Sequence, residues 1–190
     1  MIFTRLLLTV TVAALTTPAL AHTGTHSFSG FLPGFHHPLS GLDHMLAMVG
    51  VGLFAASLGG RALWAVPTSF LLTMLMGGAL GLTGVEIPAV EAGIAMSVIT
   101  LGVVMTLGWS WPVTAAMGFV GVFAVFHGLA HGSEIPSGAD AAFYSLGFTA
   151  ASAILHILGI GMSCMAQNHS RAIRSVGAAM TVVGLVLALG

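Results

Sequence analysis

The sequence predicts an all-α protein: a polytopic membrane helix bundle with six transmembrane helices after a cleaved signal peptide. Three observations lead there. Of 190 residues, 57% are hydrophobic and only 5% charged, with a mean hydropathy of +1.06. Beyond a short leader, the chain divides into six apolar segments of bilayer-spanning length. The few charged side chains gather at the ends of those segments, with arginines and acids at alternate ends. A soluble domain carries about a quarter charged residues, and four arginines with five acids cannot coat a globule of this length.

Residues 1–21 read MIFTRLLLTVTVAALTTPALA. Arg5 supplies a positive start, residues 6–15 an apolar run, and Ala19-Leu20-Ala21 a small-residue cleavage site. This pattern marks a secretory signal peptide, too short to span a bilayer; an uncleaved anchor helix is the alternative. Residues 22–190 then form one six-helix domain. His22 and His26 fall at its start, where an amine and imidazoles can collect a divalent ion or simply form a polar tail.

The expected spans are about 38–58, 62–83, 88–108, 113–132, 140–166 and 172–190. Arg61, Arg171 and Arg174 fall on one side of this arrangement, and Asp43, Glu86, Glu91, Glu134 and Asp140 on the other. The positive-inside rule makes the arginine side cytoplasmic. The expected location is therefore the bacterial inner (cytoplasmic) membrane, with both ends of the mature chain periplasmic. Pro38, Pro88 and Pro112 lie near helix starts, and Pro67 inside the second span is expected to kink it. The pairs Gly77-x3-Gly81 and Gly128-x3-Gly132 are spaced for close helix approach in lipid.

Composition also narrows function. No basic patch exists to neutralise phosphates, so nucleic acid is not a partner. Apolar content excludes disorder, and the lone Cys164 excludes a disulfide framework or a CxxC site. No phosphate-binding loop occurs in the required context, so no ATPase module and no prosthetic group are evident. Nine histidines, as many as all charged side chains together, are the unusual feature.

Two clusters hold five of them. The first span opens with His36-His37-Pro38-Leu39-Ser40-Gly41-Leu42-Asp43-His44. Acids and imidazoles at the mouth of a membrane helix are costly unless used. On a regular helix, His37 and His44 would stand about 10 Å apart along the axis. Either HPLSG is not regular helix, or the two histidines form successive stations. The fourth span ends with Phe126-His127-Gly128-Leu129-Ala130-His131-Gly132-Ser133-Glu134. His127 and His131 have the i, i+4 spacing that lets two imidazoles grip one metal, with Glu134 on the same stripe. Glu91, one turn inside the third span, can complete a nitrogen–oxygen ligand set. His156 lies deep in the fifth span, where a helix-to-helix hydrogen bond competes with a pore role. His169 beside Arg171 reads as a loop residue.

HPLSGLDHMLAMVGVG followed by FHGLAHGSE resembles the HupE/UreJ family of bacterial nickel/cobalt permeases. The likeness extends over the whole mature chain. It implies uptake of nickel, or less often cobalt, for maturation of hydrogenase or urease, without enzymatic activity. Carried over by position, His37, Asp43 and His44 match the first motif. His131 and Glu134 match the second, with His127 beside them, and Glu91 matches the acidic position of the third span. Phe70 falls where the family has an aromatic, implying a gate or plain packing. The larger nickel/cobalt permease family has His-x4-Asp-His; the spacing here is His-x5-Asp-His, so its coordination geometry does not transfer.

Two other readings remain open at this level. One is an intramembrane metal-dependent hydrolase, which needs an open metal position and a general base. The other is a membrane metal sensor or docking subunit that binds an ion without passing it.

Overall fold

A computed structural model describes residues 30–85, 87–165 and 170–189, and every regular element among them is helical. The expected leader and its cleavage site, His22, His26, Glu86 and His169 lie outside the described residues. In chain order the helices are α1 (Phe31–Ser40), α2 (Leu42–Leu58), α3 (Ala62–Leu82), α4 (Val90–Leu107), α5 (Val113–Ser133), α6 (Ala141–Met165) and α7 (Ser170–Leu189). Five of them, α3 to α7, are long and apolar enough to cross a membrane.

The sixth crossing differs from the continuous 38–58 span read from the sequence. It is a broken one: α1 and α2 meet at 87°. The break falls at Gly41, whose backbone is extended (φ −101°, ψ 126°). Pro38 therefore sits in the last turn of a short separate helix instead of opening a span. The Ser40 hydroxyl donates to the His37 carbonyl at 2.6 Å, satisfying one of the acceptors a helix end leaves free. Hydropathy alone could not place this bend, because both arms are apolar. Elsewhere the expected boundaries hold to within a few residues, and α3 runs as one helix through the buried Pro67.

The bundle is assembled from helix pairs whose backbones touch. In lipid there is no hydrophobic drive between helices, so packing at small residues holds them together. α3 and α5 make the most extensive contact. Their glycine pairs face each other: a Cβ at Gly77 would stand 2.5 Å from the Val125 carbonyl oxygen, and one at Gly81 2.7 Å from that of Leu129. A Cβ at Gly128 or Gly132 would collide with the Met74 or Gly78 carbonyl. α2 and α6 meet in the same way at Gly52 and Gly159, and α4 and α7 at Gly102 and Gly177. Met48, Val51, Phe54, Phe70, Met74, Val98, Leu101 and Val120 fill the centre. Leu72, Met76, Val122, Ile157 and Leu158 point outward, as side chains bathed in lipid do.

The short connections 59–61 and 108–112 lie at one end of the bundle, with Arg61, Arg171 and Arg174. Trp64 and Trp109 are exposed at that end, and the Arg61 guanidinium lies 6.0 Å from the Trp64 ring. Amphipathic rings and arginines take such positions at a bilayer surface. Asp43, Glu91, Glu134 and Asp140 sit at the opposite end, together with the bend.

Replacing Gly128 with leucine should force α3 from α5 and destabilise the protein by about 1–3 kcal/mol or more. Gly118→Leu, where an added Cβ meets nothing within 4 Å, should leave stability nearly unchanged. Thermal unfolding of both variants in detergent measures the difference.

Candidate metal centre

The bend at Gly41 turns the two halves of the first motif toward the same point. α1 lies across the start of α6, with Gly34 against the Tyr144 backbone and Gly147 against that of Phe31. His37 thereby comes down onto α5 from one side while His44, on α2, approaches from another. On α5, the glycines that press on α3 alternate with the histidines. Adjacent helical residues point about 100° apart, so Gly128 and Gly132 face α3 while His127 and His131 face α1 and α2.

His131 is the hub. Its ring centroid is 4.5 Å from that of His37 and 4.6 Å from that of His44; His44 in turn lies 4.9 Å from His127. Two three-ligand groups result, each with its ligand atoms within 4.8 Å of one another: His37, His131 and Glu134, and His44, His127 and His131. Metal–nitrogen bonds are about 2.0–2.1 Å long, so small side-chain movements bring each group onto one ion. The first group is the outer one, with Glu134 exposed and His37 partly so; the second is enclosed.

Hydrogen bonds fix which nitrogens are free. One oxygen of Asp43 accepts from the His44 backbone N–H at 2.7 Å and from the His44 ring at Nδ1 at 2.8 Å. Nδ1 therefore carries the proton, and Nε2 is left with a bare lone pair, buried and without a partner. Ser97 of α4 does the same for His127. Its hydroxyl donates to the Ile94 carbonyl at 2.6 Å, so its oxygen can only accept from His127 Nε2–H, 3.1 Å away. His127 Nδ1 is then bare, buried and unpartnered. Both nitrogens of His131 lack partners as well. In His44 and His127 the free nitrogen is oriented by a hydrogen bond on the far side of the ring, which is how metal-ligating histidines are held, and His131 stands between them without such a bond. Bare imidazole nitrogens are the right chemistry for a borderline divalent transition metal.

Not every residue singled out in the sequence converges. Asp43 belongs to neither group; it orients His44. Glu91 lies exposed in the first turn of α4 and also enters neither. His36 is exposed on α1. Phe70, 1% exposed, stands beneath the enclosed group, its ring centroid 5.6 Å from that of His127 and 5.3 Å from that of His156. Sequence reasoning missed Ser97, Tyr144 and Phe148. The Phe148 ring packs 3.8 Å from that of His131, and the Tyr144 ring 6.0 Å from that of His37. The one tyrosine of the chain, a turn before a phenylalanine, was a signal available in the sequence. Ser97 offered none, because serines in apolar helices commonly bond their own backbone.

The charges suit a cation. The C-terminal dipole end of α5 points at the outer group. Glu134, just past that end, accepts from His37 Nε2 at 3.0 Å. That contact holds its carboxyl below the usual range, outweighing partial burial. Glu134 thus stays anionic as pH falls, and its contact with His37 is lost only when pH passes below the lowered value.

A sequence model of the family described as "HupE / UreJ protein" matches residues 10–187. Protein HupE of Rhizobium leguminosarum bv. viciae is 43% identical over 187 residues, covering 96% of this chain and 97% of that protein. No solved structure matches the chain.

Ser97→Ala and Asp43→Asn should each weaken metal affinity about 10–100-fold without removing a ligand. Titration of the purified protein with cobalt, followed by visible absorption, checks this; unchanged affinity would mean the hydrogen bonds do not tune the histidines. His37→Ala should let Glu134 titrate at higher pH, seen in the infrared carboxyl band.

Proposed function

This chain belongs to the HupE/UreJ family, and on that premise we propose that it is a permease carrying nickel, or cobalt, inward across the bacterial inner membrane. Maturation of hydrogenase or urease is the purpose that family membership implies. The acid-bearing end faces the periplasm and the arginine end the cytoplasm, following the positive-inside rule.

The observation that carries this reading is the sharing of His131 between an open ligand group and a closed one. An ion captured by His37, Glu134 and His131 can pass to His44, His127 and His131 without ever losing all its protein ligands. Each exchange replaces one or two bonds, so no step requires full desolvation. Glu134 and Asp43 supply the negative charge; the histidines supply neutral lone pairs. His36, with His22 and His26, collects ions at the periplasmic mouth, and Glu91 draws them there electrostatically. Phe70 closes the floor.

Phe148 and Phe70 pack directly on the ligand rings. That enclosure favours a bare ion over an organic substrate, and we assign no catalytic residue.

Ligand type alone does not select nickel, since copper binds a mixed nitrogen–oxygen site more tightly. Selection rests on geometry and supply. The driving force needs no ATP. An inside-negative potential is worth about 2.3 kcal/mol per charge per 100 mV, hence roughly 4.6 kcal/mol for a divalent ion, about a thousandfold gradient. Affinity must stay modest for the ion to leave.

Proteoliposomes holding the purified chain should take up nickel when an inside-negative potential is imposed. His37→Ala, His44→Ala, His131→Ala and Glu134→Ala should each cut the rate at least about tenfold while the protein remains in the membrane. A sensor or docking subunit would bind nickel and show no flux. Uptake should also fall in acid medium, because only neutral imidazole ligates. Glu134, held anionic by His37, does not contribute to that fall.

A further inference from the structure

The permeation reading leaves a gap between the enclosed histidine group and the far side of the bilayer. We propose that the ion's inward route follows one stripe of α6, and that His156, with Ser152 one turn before it, forms a second station below Phe70. The proposal rests on the permease reading and extends it to the inner half of the protein.

The geometry is as follows. His156 is 1% exposed, and neither of its ring nitrogens has a hydrogen-bond partner among the described residues. Ser152 is fully buried, and its hydroxyl is likewise unpartnered. Residues four apart on a helix share a face, so the two polar groups present themselves together. The same stripe begins beside the outer groups: Tyr144 lies against His37 and Phe148 against His131. Continuing inward along it, Ser163 is also buried. Phe148 and His156 are eight residues apart, about 12 Å of helix. The stripe therefore descends from the level of the ligand groups to well below it.

Unsatisfied polar atoms are expensive in a dry, lipid-surrounded interior. A structural histidine there would be paired with a neighbouring helix. Two adjacent unpaired groups, four residues apart, are what a transient ligand site requires: lone pairs with no competing partner. Phe70 touches His127 on one side and His156 on the other, at nearly equal ring distances. In this proposal its side chain is a barrier between the stations, and its rotation connects them. The Gly52–Gly159 contact holds α6 against α2 just beyond His156 and keeps the stripe facing the bundle interior.

The test uses the full chain in proteoliposomes with an imposed potential. Nickel and cadmium influx are read beside equilibrium cobalt binding in detergent. H156Q and S152A should keep cobalt binding within about twofold, since the upper ligands are untouched. H156Q should lower nickel influx about tenfold or more. H156C places a soft thiolate in the path and should raise the cadmium-to-nickel influx ratio several-fold over the unsubstituted protein. A purely structural role for His156 would not move that ratio. Nickel influx in H156Q equal to that of the unsubstituted protein, or an unchanged ratio in H156C, overturns the second station and leaves the permease reading intact. An unsubstituted protein that binds cobalt but passes no nickel overturns both.

Discussion

The constraint on which this structure depends is that a polar side chain inside a bilayer must find a partner. Most of the chain obeys it simply. Thr73, Thr100, Thr106, Thr149 and Thr181 donate their hydroxyls to carbonyls one turn back on their own helices. The histidines break the pattern in a specific way. Each of His44 and His127 has one nitrogen satisfied by a neighbouring side chain and the other left bare. The bare atoms converge instead of scattering. Left alone, such a pocket is unfavourable; under the proposed function a divalent ion is the partner that relieves it.

The rest of the architecture serves that convergence. Glycine contacts between α3 and α5 set the rotation of α5, and so decide which way His127 and His131 point. The bend at Gly41 does the equivalent for the first motif. An added Cβ at Gly41 would stand 2.7 Å from Asp43 Oδ1 and 3.1 Å from His44 Nδ1. Glycine is what leaves room for the Asp43–His44 pair directly beneath the bend. The same small-residue packing that replaces the hydrophobic effect between membrane helices thus doubles as the alignment of the ligand set.

Electrostatics grade the site from outside to inside. The outer group includes a carboxylate held anionic by its histidine and lies near the dipole end of α5, which favours capture of a dication. The enclosed group has imidazoles as ligands, with Asp43 only behind His44. Moving inward therefore exchanges formal charge for neutral lone pairs. That grading agrees with the proposed inward passage of a dication.

Much of this was legible in the sequence. Composition and segment length determined a multi-pass helical membrane protein, because hydrocarbon admits only helices or closed barrels and the chain has runs of helical length. The i, i+4 spacing of His127 and His131 placed both on one face, and the glycine pairs announced a close helix contact. Tertiary structure decided the rest. His37 and His44 are too far apart on a straight helix to act together, and only the 87° turn at Gly41 closes that distance. For Asp43 and Glu91, residue type says nothing about where a carboxylate oxygen points; in the structure one Asp43 oxygen bonds His44, and Glu91 lies apart from both ligand groups. Ser97 carried no signal, since its role exists only through a neighbour thirty positions away. Local periodicity fixes which residues share a face, but the partner that a face meets depends on contacts between helices distant in the chain.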